Sequence, residues 1–466
     1  MTKQGASSAP LLRALPSVEA VLQTARAREL VAQHGHARVT QAVRESLDTI
    51  RQAIRHEGVS AAPGADVLAG AAAERLAADR PNLKRVINAT GILLHTGLGR
   101  AVLPDGTAEA LARAVGGCNV QMDLETGERS RREATILDLC RRVTGAEDVA
   151  VVNNNAAATL LVLAALARGR EAVVSRGELI EIGGSFRLPD IMAESGAVMR
   201  EVGTTNKTHL RDYENAIGPN TGLLLKVHPS NYRVAGFVAE ASLREIADLG
   251  HRRSVPVIFD LGSGNLMDLR KYGLEGEPTV QDGFRDGADL VLFSTDKLIG
   301  GPQGGIIAGR TDLVTVVRQH SLYRAFRVDK LRLAALEAAL RLFLEPEFLE
   351  ERHPTLFMLA RRPDELRQAA ENLRDEIARR QPAWRATVVE DESRLGGGAL
   401  PTSPLPTFAV ALQTDGRTAE ELARALRRAD PPVIGRIHEN AVRLDVRTIR
   451  PGEMNDVLSA IQRLAP

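Results

Sequence analysis

The sequence is poor in three features that would each narrow its function. Only two of 466 residues are cysteines, Cys118 and Cys140, too few for a disulfide framework or a cysteine-rich metal site and typical of a reducing compartment. The clearest apolar run, Ala156 to Ala167, is too short to span a bilayer, and the amino terminus lacks an apolar signal core. Sixty Lys plus Arg against 59 Asp plus Glu leave a net charge of +1, so a nucleic-acid surface could only be local. These absences predict a cytoplasmic protein without a metal, a membrane or DNA as a partner.

Alternating strand and helix patterns are the main fold signal. A hydrophobic content of 44% over 466 residues is enough for a large core and suggests two to four domains. The alternation favours an α/β fold with a mostly parallel sheet covered by helices on both faces. The predicted strands are Asp148 to Val152, Ala172 to Ser175, Ala197 to Val202, Gly222 to His228, Val255 to Leu261, Asp289 to Phe293 and Gly305 to Ala308.

Four segments follow from composition and periodicity. Residues 1–62 show apolar residues at helical spacing and a local excess of arginine, which is compatible with a phosphate backbone and equally with a solvated helix face. Residues 63–85 are rich in Ala and Gly and are predicted to be a linker with one short helix. Residues 86–330 form the predicted large α/β domain, and residues 331–466 a small α+β domain.

Lys297 is the first candidate for chemistry. It follows the apolar run Asp289 to Phe293 and precedes the glycines at 300, 301, 304 and 305, so it is expected on a turn at the carboxyl end of a buried strand, where open parallel sheets bind ligands. Apolar surroundings favour a neutral, nucleophilic amine suited to Schiff-base chemistry. Taken alone, a surface lysine on a glycine turn explains the pattern better.

Two further strand ends carry polar groups. Asn154, Asn155 and Ala156 lie where a strand ends and an alanine-rich helix begins, a junction that binds phosphate through free N–H groups or is simply an Asn cap. Ser294 could offer its hydroxyl to the same phosphate. Asp260 ends another apolar strand; it either caps a turn or faces a cation such as a protonated pyridine nitrogen.

Pyridoxal 5′-phosphate needs a phosphate-binding loop, an aspartate and a lysine, and the sequence places these in that chain order at the ends of strands of one sheet. Lys297 and Asp260 are therefore the predicted catalytic residues. The predicted cofactor-binding set consists of Asn154, Asn155, Ala156, Asp260, Ser294, Lys297 and His228. For His228 a core or turn histidine is nearly as good an explanation.

Several stretches of the sequence together resemble one family. They are Val86 to Arg100, Val152 to Ala158, Ser175 to Gly184, Lys226 to His228, Asp260 to Gly264, Asp296 to Leu298 and Val433 to Ile437. From about residue 10 to its end the chain is similar to bacterial selenocysteine synthases, the L-seryl-tRNA(Sec) selenium transferases.

The resemblance implies a fold-type-I pyridoxal phosphate enzyme that holds its cofactor on Lys297. It implies conversion of L-seryl-tRNA(Sec) to L-selenocysteinyl-tRNA(Sec) by β-replacement through an aminoacrylyl-tRNA, with selenophosphate as selenium donor. Arg100, Arg324 and Arg327 match the arginines that receive this anion, and the latter two share a face if residues 323–330 are helical. Without the resemblance, a charged helix face with Asp329 as partner is the preferred interpretation. The amino-terminal domain is expected to bind the tRNA. The subunits are expected to assemble into a ring of dimers, a decamer.

Two other functions remain open from the residues. A pyridoxal phosphate lyase acting on a free amino acid or an amino sugar phosphate would share Lys297 and Asp260 but would not need the amino-terminal helices. A catalytically silent tRNA-binding scaffold would not need the pair formed by Lys297 and Asp260.

Overall fold

Residue 85 divides the chain into two units in the computed structural model, Met1–Arg85 and Val86–Pro466. The structure describes residues 8–56, 61–79, 82–183, 186–398, 400 and 403–464. Residues 1–7, 57–60, 80 and 81, which the predicted amino-terminal domain and linker include, lie outside the described residues.

The first unit is helical, as its periodicity predicts. Its helices are α1 (Ser8–Ala14), α2 (Val18–Leu22), α3 (Ala25–His34), α4 (His36–His56) and α5 (Ala65–Ala78). Ser17 and Thr24 begin α2 and α3, because their hydroxyls accept backbone N–H groups that the first turn leaves free. Val39, Val43 and Leu47 recur at helical spacing on α4 and are buried.

Helix α5 lies in the stretch predicted as a linker, and it is a packed part of this unit. Leu68, Ala69, Ala72 and Leu76 on α5 belong to the same apolar core as Val43 on α4. The composition suggests a connector because it is rich in small residues. Alanine is also the best helix former, and small side chains allow two helices to pack closely.

The second unit contains short and long strands. In chain order the described ones are β1 (Ile87–Asn88), β2 (Ile92–Leu94), β3 (Asp148–Val152), β4 (Glu171–Ser175), β5 (Glu181–Ile182), β6 (Phe186–Arg187), β7 (Val198–Val202), β8 (Thr221–Val227), β9 (Val257–Gly262), β10 (Leu290–Ser294), β11 (Gly305–Gly309), β12 (Trp384–Gly396), β13 (Leu405–Thr414), β14 (Val433–Ile434), β15 (Arg436–His438) and β16 (Ala441–Asp445).

Helices cover the strands of this unit. The described ones are α6 (Thr107–Val115), α7 (Ala134–Thr144), α8 (Asn155–Ala167), α9 (Leu188–Ser195), α10 (Leu210–Ala216), α11 (Leu243–Arg252), α12 (Val280–Arg285), α13 (Thr311–Gln319), α14 (Ser321–Ala325), α15 (Lys330–Arg341), α16 (Leu349–Arg352), α17 (Pro354–Ala360), α18 (Pro363–Arg380), α19 (Ala419–Arg427) and α20 (Met454–Arg463). None of the helices described in either unit is long and apolar enough to cross a bilayer.

The predicted mostly parallel sheet has seven strands in the order β3-β11-β10-β9-β8-β4-β7. Of its seven strands, β11 alone runs in the opposite direction to the others. Its central strands are buried on both faces, which explains their continuous apolar sequences. Helices α7, α11 and α15 contribute to the core on one face, and α8, α9 and α13 to the core on the other. Each predicted strand lies within two residues of an observed one.

A second sheet has the order β15-β16-β13-β12-β2 and packs on α18, α19 and α20. Strand β2 pairs with β12, and β1 pairs with β14, so residues 87–94, placed in the large domain by the sequence, join the carboxyl-terminal part. Conversely α15, placed in the small domain, packs on the large sheet. Both differences arise from contacts between segments that are far apart in the sequence. Local composition does not reveal such contacts.

Candidate active site

Lys297 lies on a turn at the carboxyl edge of the large sheet, directly after β10. Backbone bonds fix the turn: the N–H of Leu298 donates to the carbonyl of Ser263 at 3.2 Å, and that of Gly300 to the carbonyl of Lys297 at 3.0 Å. Gly300 has a φ of +71°, and a Cβ there would lie 2.5 Å from Nε2 of His353. Glycine is therefore required at the point where the chain turns back toward β11.

The amine of Lys297 is buried, with 6% of the residue exposed. Burial lowers the pKa of this amine, and the positive charge of Arg100 lowers it further; the carboxylates of Asp296, Asp260 and Glu277 oppose both effects. The buried surroundings expected from the sequence are thus present. A larger share of neutral amine at neutral pH is what nucleophilic attack on a carbonyl needs.

Asp260 lies on β9, the neighbour of β10, and its carboxylate is held by two donors. The Nδ2 group of Asn155 donates to Oδ1 at 2.8 Å, and the hydroxyl of Thr159 lies 2.9 Å from Oδ2. Burial raises the pKa of Asp260, while these hydrogen bonds and the charges of Lys297 and His228 lower it. The carboxylate is oriented from the α8 side by two residues one helical turn apart.

The start of α8 presents the predicted phosphate site. The side chain of Asn154 caps the helix by accepting the N–H of Ala157 at 2.8 Å, so the first backbone N–H groups, those of Asn155 and Ala156, remain for an anion. A Cβ at Gly305 would lie 2.4 Å from the carbonyl oxygen of Asn154, so only glycine lets β11 approach the helix start this closely. The side chain of Asn155 is engaged by Asp260, a pairing that the sequence pattern does not predict.

Ser294 and His228 also lie at this edge. Ser294 pairs with Gly305, which pairs in turn with Val152 at the end of β3, so the sheet brings the serine and the start of α8 together. His228 follows β8, and its backbone N–H donates to the carbonyl of Asp260 at 2.9 Å. Its Nε2 lies 3.2 Å from Oε2 of Glu277.

Arg100 reaches the lysine turn across almost two hundred residues of sequence. Its Nη1 lies 2.6 Å from Oδ2 of Asp296, the residue before Lys297. Its backbone has a φ of +64°, in the left-handed region that non-glycine residues rarely adopt. The contact with Asp296 places Arg100 next to the lysine turn.

Arg324 and Arg327 do not share a helix face. Helix α14 ends at Ala325, and Arg327 instead forms a bridge with Val152 on the edge strand β3. The N–H of Asn153 donates to the carbonyl of Phe326 at 2.9 Å, so pairing with an open strand edge takes the place of a further helical turn. Both arginines are exposed, and Asp329 caps α15 through the N–H groups of Leu331 and Arg332.

Four residues near the site have no clear sequence signal of their own. Thr159 and Glu277 contact predicted site residues, Asp296 pairs with Arg100, and His353 supports the lysine turn. The one local hint is the spacing of Asn155 and Thr159, which places both on one face of α8. Among the described residues, no group of three or more His, Cys, Asp or Glu side chains is arranged to hold a metal ion.

Family models match most of the chain. Residues 86–450 match "L-seryl-tRNA selenium transferase", and residues 12–51 match "Selenocysteine synthase N terminal". Among solved structures, D-glucosaminate-6-phosphate ammonia-lyase superposes with a TM-score of 0.56 at 20% identity, covering 84% of this chain and 96% of that one. At that identity the likeness shows the fold alone.

Relatives of similar length give the same result. The L-seryl-tRNA(Sec) selenium transferase of Moorella thermoacetica is 47% identical over 454 residues, covering 97% of this chain and 96% of the relative. That of Solidesulfovibrio magneticus is 48% identical over 459 residues, covering 97% of both. The fold, the buried lysine and these matches lead to one conclusion: the chain belongs to the L-seryl-tRNA selenium transferase family.

Proposed function

We infer that the protein converts L-seryl-tRNA(Sec) to L-selenocysteinyl-tRNA(Sec) as a pyridoxal 5′-phosphate-dependent selenium transferase. The observation that carries this function is the family match over residues 86–450, within which Lys297 and Asp260 are buried at one edge of the sheet. A tRNA substrate places the reaction in the cytoplasm.

The residues at the sheet edge fit pyridoxal 5′-phosphate. Lys297 would hold its aldehyde carbon, Asp260 its ring nitrogen, and the start of α8 with Ser294 its phosphate. Three features support this assignment: the lowered pKa of the lysine amine, the two donors that orient the aspartate, and the close approach of β11 that Gly305 allows. Bound pyridoxal 5′-phosphate supplies a cationic ring that accepts electrons from the α-carbon of an amino acid.

Each protein group then has a defined task. The amine of Lys297 would anchor the cofactor and, when free, would take the proton from the α-carbon of the seryl group. Asp260 keeps a proton on the ring nitrogen, because a buried carboxylate is stable beside a cation. Elimination of the β-hydroxyl as water would free the β-carbon for addition of the selenium of selenophosphate, and hydrolysis of the P–Se bond would release phosphate.

Selenophosphate is the proposed selenium donor, and Arg100, Arg324 and Arg327 are its proposed binding residues. A planar guanidinium matches a phosphate-like oxyanion. Arg100 is best supported, because Asp296 holds it beside Lys297. Arg327 forms a bridge with Val152 at the end of β3, next to the proposed phosphate site. Arg324 lies on the short helix α14, which precedes Arg327 in the chain.

The amino-terminal helices are the proposed tRNA-binding part, residues 1–62, with α5 extending the helical unit beyond the proposed boundary. Arg44, Arg51 and Arg55 lie at spacings of seven and four residues on α4 and are exposed, so they form one basic stripe. Asp48 lies on the same face and pairs with Arg51 at 2.7 Å, so the three arginines are only partly neutralised. A ring of dimers, a decamer, is the proposed assembly. Sedimentation of the purified protein measures it directly, and a lone dimer would contradict it.

The deciding experiment supplies purified protein with seryl-tRNA(Sec) and selenophosphate and measures selenocysteinyl-tRNA. The matched reaction replaces the tRNA substrate with free L-serine or an amino sugar phosphate. Product from the tRNA substrate alone is the expected result. Preferred turnover of the free compounds would contradict the proposed function and favour a lyase.

A further inference from the structure

Glu277 is a buried acid beside the proposed cofactor site. Its side chain has no exposed surface, and its Oε2 lies 3.2 Å from Nε2 of His228. Its other oxygen, Oε1, is buried and has no hydrogen-bond partner among the described residues. A half-satisfied carboxylate is costly to bury, so a fold that needed only a packed core would favour an apolar side chain here.

His228 connects this acid to the centre of the site. Its backbone N–H donates to the carbonyl of Asp260, so it adjoins the residue proposed to face the ring nitrogen. The charge of Glu277 raises the pKa of Lys297, which puts the acid within electrostatic reach of the reactive amine. The imidazole of His228 keeps 16% of its side-chain surface exposed, whereas the carboxylate of Glu277 is enclosed, so His228 is the member of the pair that borders open space.

We propose that Glu277 is a positioning residue that acts through His228. The carboxylate accepts a hydrogen bond from Nε2–H, which fixes the orientation of the ring and leaves Nδ1 as the unprotonated nitrogen. Which imidazole nitrogen carries the proton is set by the bond that the other one makes. The proposal rests on the assignment of His228 to the cofactor site, and it gives the neighbouring acid a role in cofactor binding.

A structural role predicts the opposite stability change from a positioning role. Glu277→Met removes both oxygens at similar volume, and replacing an incompletely paired buried acid by an apolar group is often neutral or stabilising. We therefore expect this variant, compared with the wild type after the cofactor has been removed from both, to unfold at the wild-type temperature or above it. We also expect it to bind pyridoxal 5′-phosphate roughly 5- to 100-fold more weakly. If Glu277 merely completed the fold, the unfolding temperature would fall.

The test measures cofactor affinity and the absorption spectrum of the bound cofactor in the full chain. Glu277→Gln keeps the shape and removes the charge, and Glu275→Gln makes the same change two residues away at an exposed position. We expect Glu277→Gln to weaken binding roughly 5- to 100-fold and to alter the spectrum, and Glu275→Gln to do neither. Equal behaviour of the two variants would overturn the proposal.

A double-mutant cycle tests whether the acid works through the imidazole. In a His228→Asn background, Glu277→Gln is expected to change cofactor affinity less than about twofold, because coupled residues are not additive. An unchanged effect in that background overturns the proposal. Wild-type behaviour of His228→Asn alone overturns it together with the assignment of His228, whereas failure of the proposed function would be seen in the wild-type protein.

Discussion

At the scale of single residues, burial acts on the two proposed catalytic groups in opposite directions. It lowers the pKa of Lys297 and raises that of Asp260, so it favours the neutral form of each. The chemistry needs a neutral amine but an ionised carboxylate. Burial alone therefore suits the lysine, whereas the aspartate depends on the donors Asn155 and Thr159.

Lys297→Ala would remove both the proposed cofactor anchor and the proposed base. We expect formation of selenocysteinyl-tRNA to fall by at least about 10² to 10⁴, the range for loss of a general base, and borohydride to fix no cofactor to the chain. Lys271→Ala, at an exposed lysine paired with Glu350, is the control and should keep both properties. Turnover retained by the Lys297 variant would contradict the assigned role.

Thr159→Val removes one of the two donors to Asp260. This hydrogen bond lowers the pKa of the carboxyl, so its loss raises that pKa, and the group takes up a proton at a higher pH as the solution is acidified. The acid limb of kcat/KM against pH should therefore move to higher pH. Thr159→Ser keeps the hydroxyl and should keep the wild-type profile. Matching profiles for the Val and Ser variants would exclude this role of the hydroxyl.

At the scale of elements, glycine determines how closely the lysine turn can pack. Gly300 and Gly145 both have positive φ, +71° and +80°, but only a Cβ at Gly300 meets a neighbour, His353. We expect Gly145→Ala to cost about 1 kcal/mol from backbone strain alone. Gly300→Ala should cost at least ~1 kcal/mol more because of the clash with the imidazole, and it alone should weaken cofactor binding. Denaturant unfolding measures the difference, and equal losses of stability would show that the close approach of His353 is unimportant.

Some of the strands and helices could be predicted from the sequence, and others could not. The central strands could be located within two residues, because burial on both faces leaves a continuous apolar run. The cap formed by Asn154 is one of the two interpretations that the strand-to-helix junction left open. The end of α14 could not be predicted, because it depends on the edge of β3, which is distant in sequence.

At the scale of the whole molecule, contacts between distant segments complete the proposed site. Asp260 meets Thr159 across 101 residues, and Arg100 meets Asp296 across 196. No local pattern encodes such pairs, so the sequence could indicate the sheet edge and its strand-end residues but not the side chains that orient them. The family resemblance supplied Arg100, whereas Thr159 and Glu277 became visible only in the fold.

The basic stripe of α4 gives the last prediction, on how the helical unit serves the whole enzyme. Changing Arg44, Arg51 and Arg55 to Glu should weaken binding of seryl-tRNA(Sec). It should also reduce the slope of log Kd against log salt by roughly two to three, about one for each phosphate that an arginine no longer neutralises. Cofactor affinity should stay unchanged, because the proposed cofactor residues all belong to the second unit.

The matched control places two of the same charge changes on the second unit. Arg424→Glu with Arg427→Glu alters exposed arginines of α19 and should leave the salt slope of tRNA binding nearly unchanged. If both sets of changes weaken tRNA binding equally per charge, only the overall charge of the chain matters, and the α4 stripe is not a tRNA-binding surface. Because the net charge of the whole chain is only +1, long-range attraction is weak, and we expect the position of the arginines to decide.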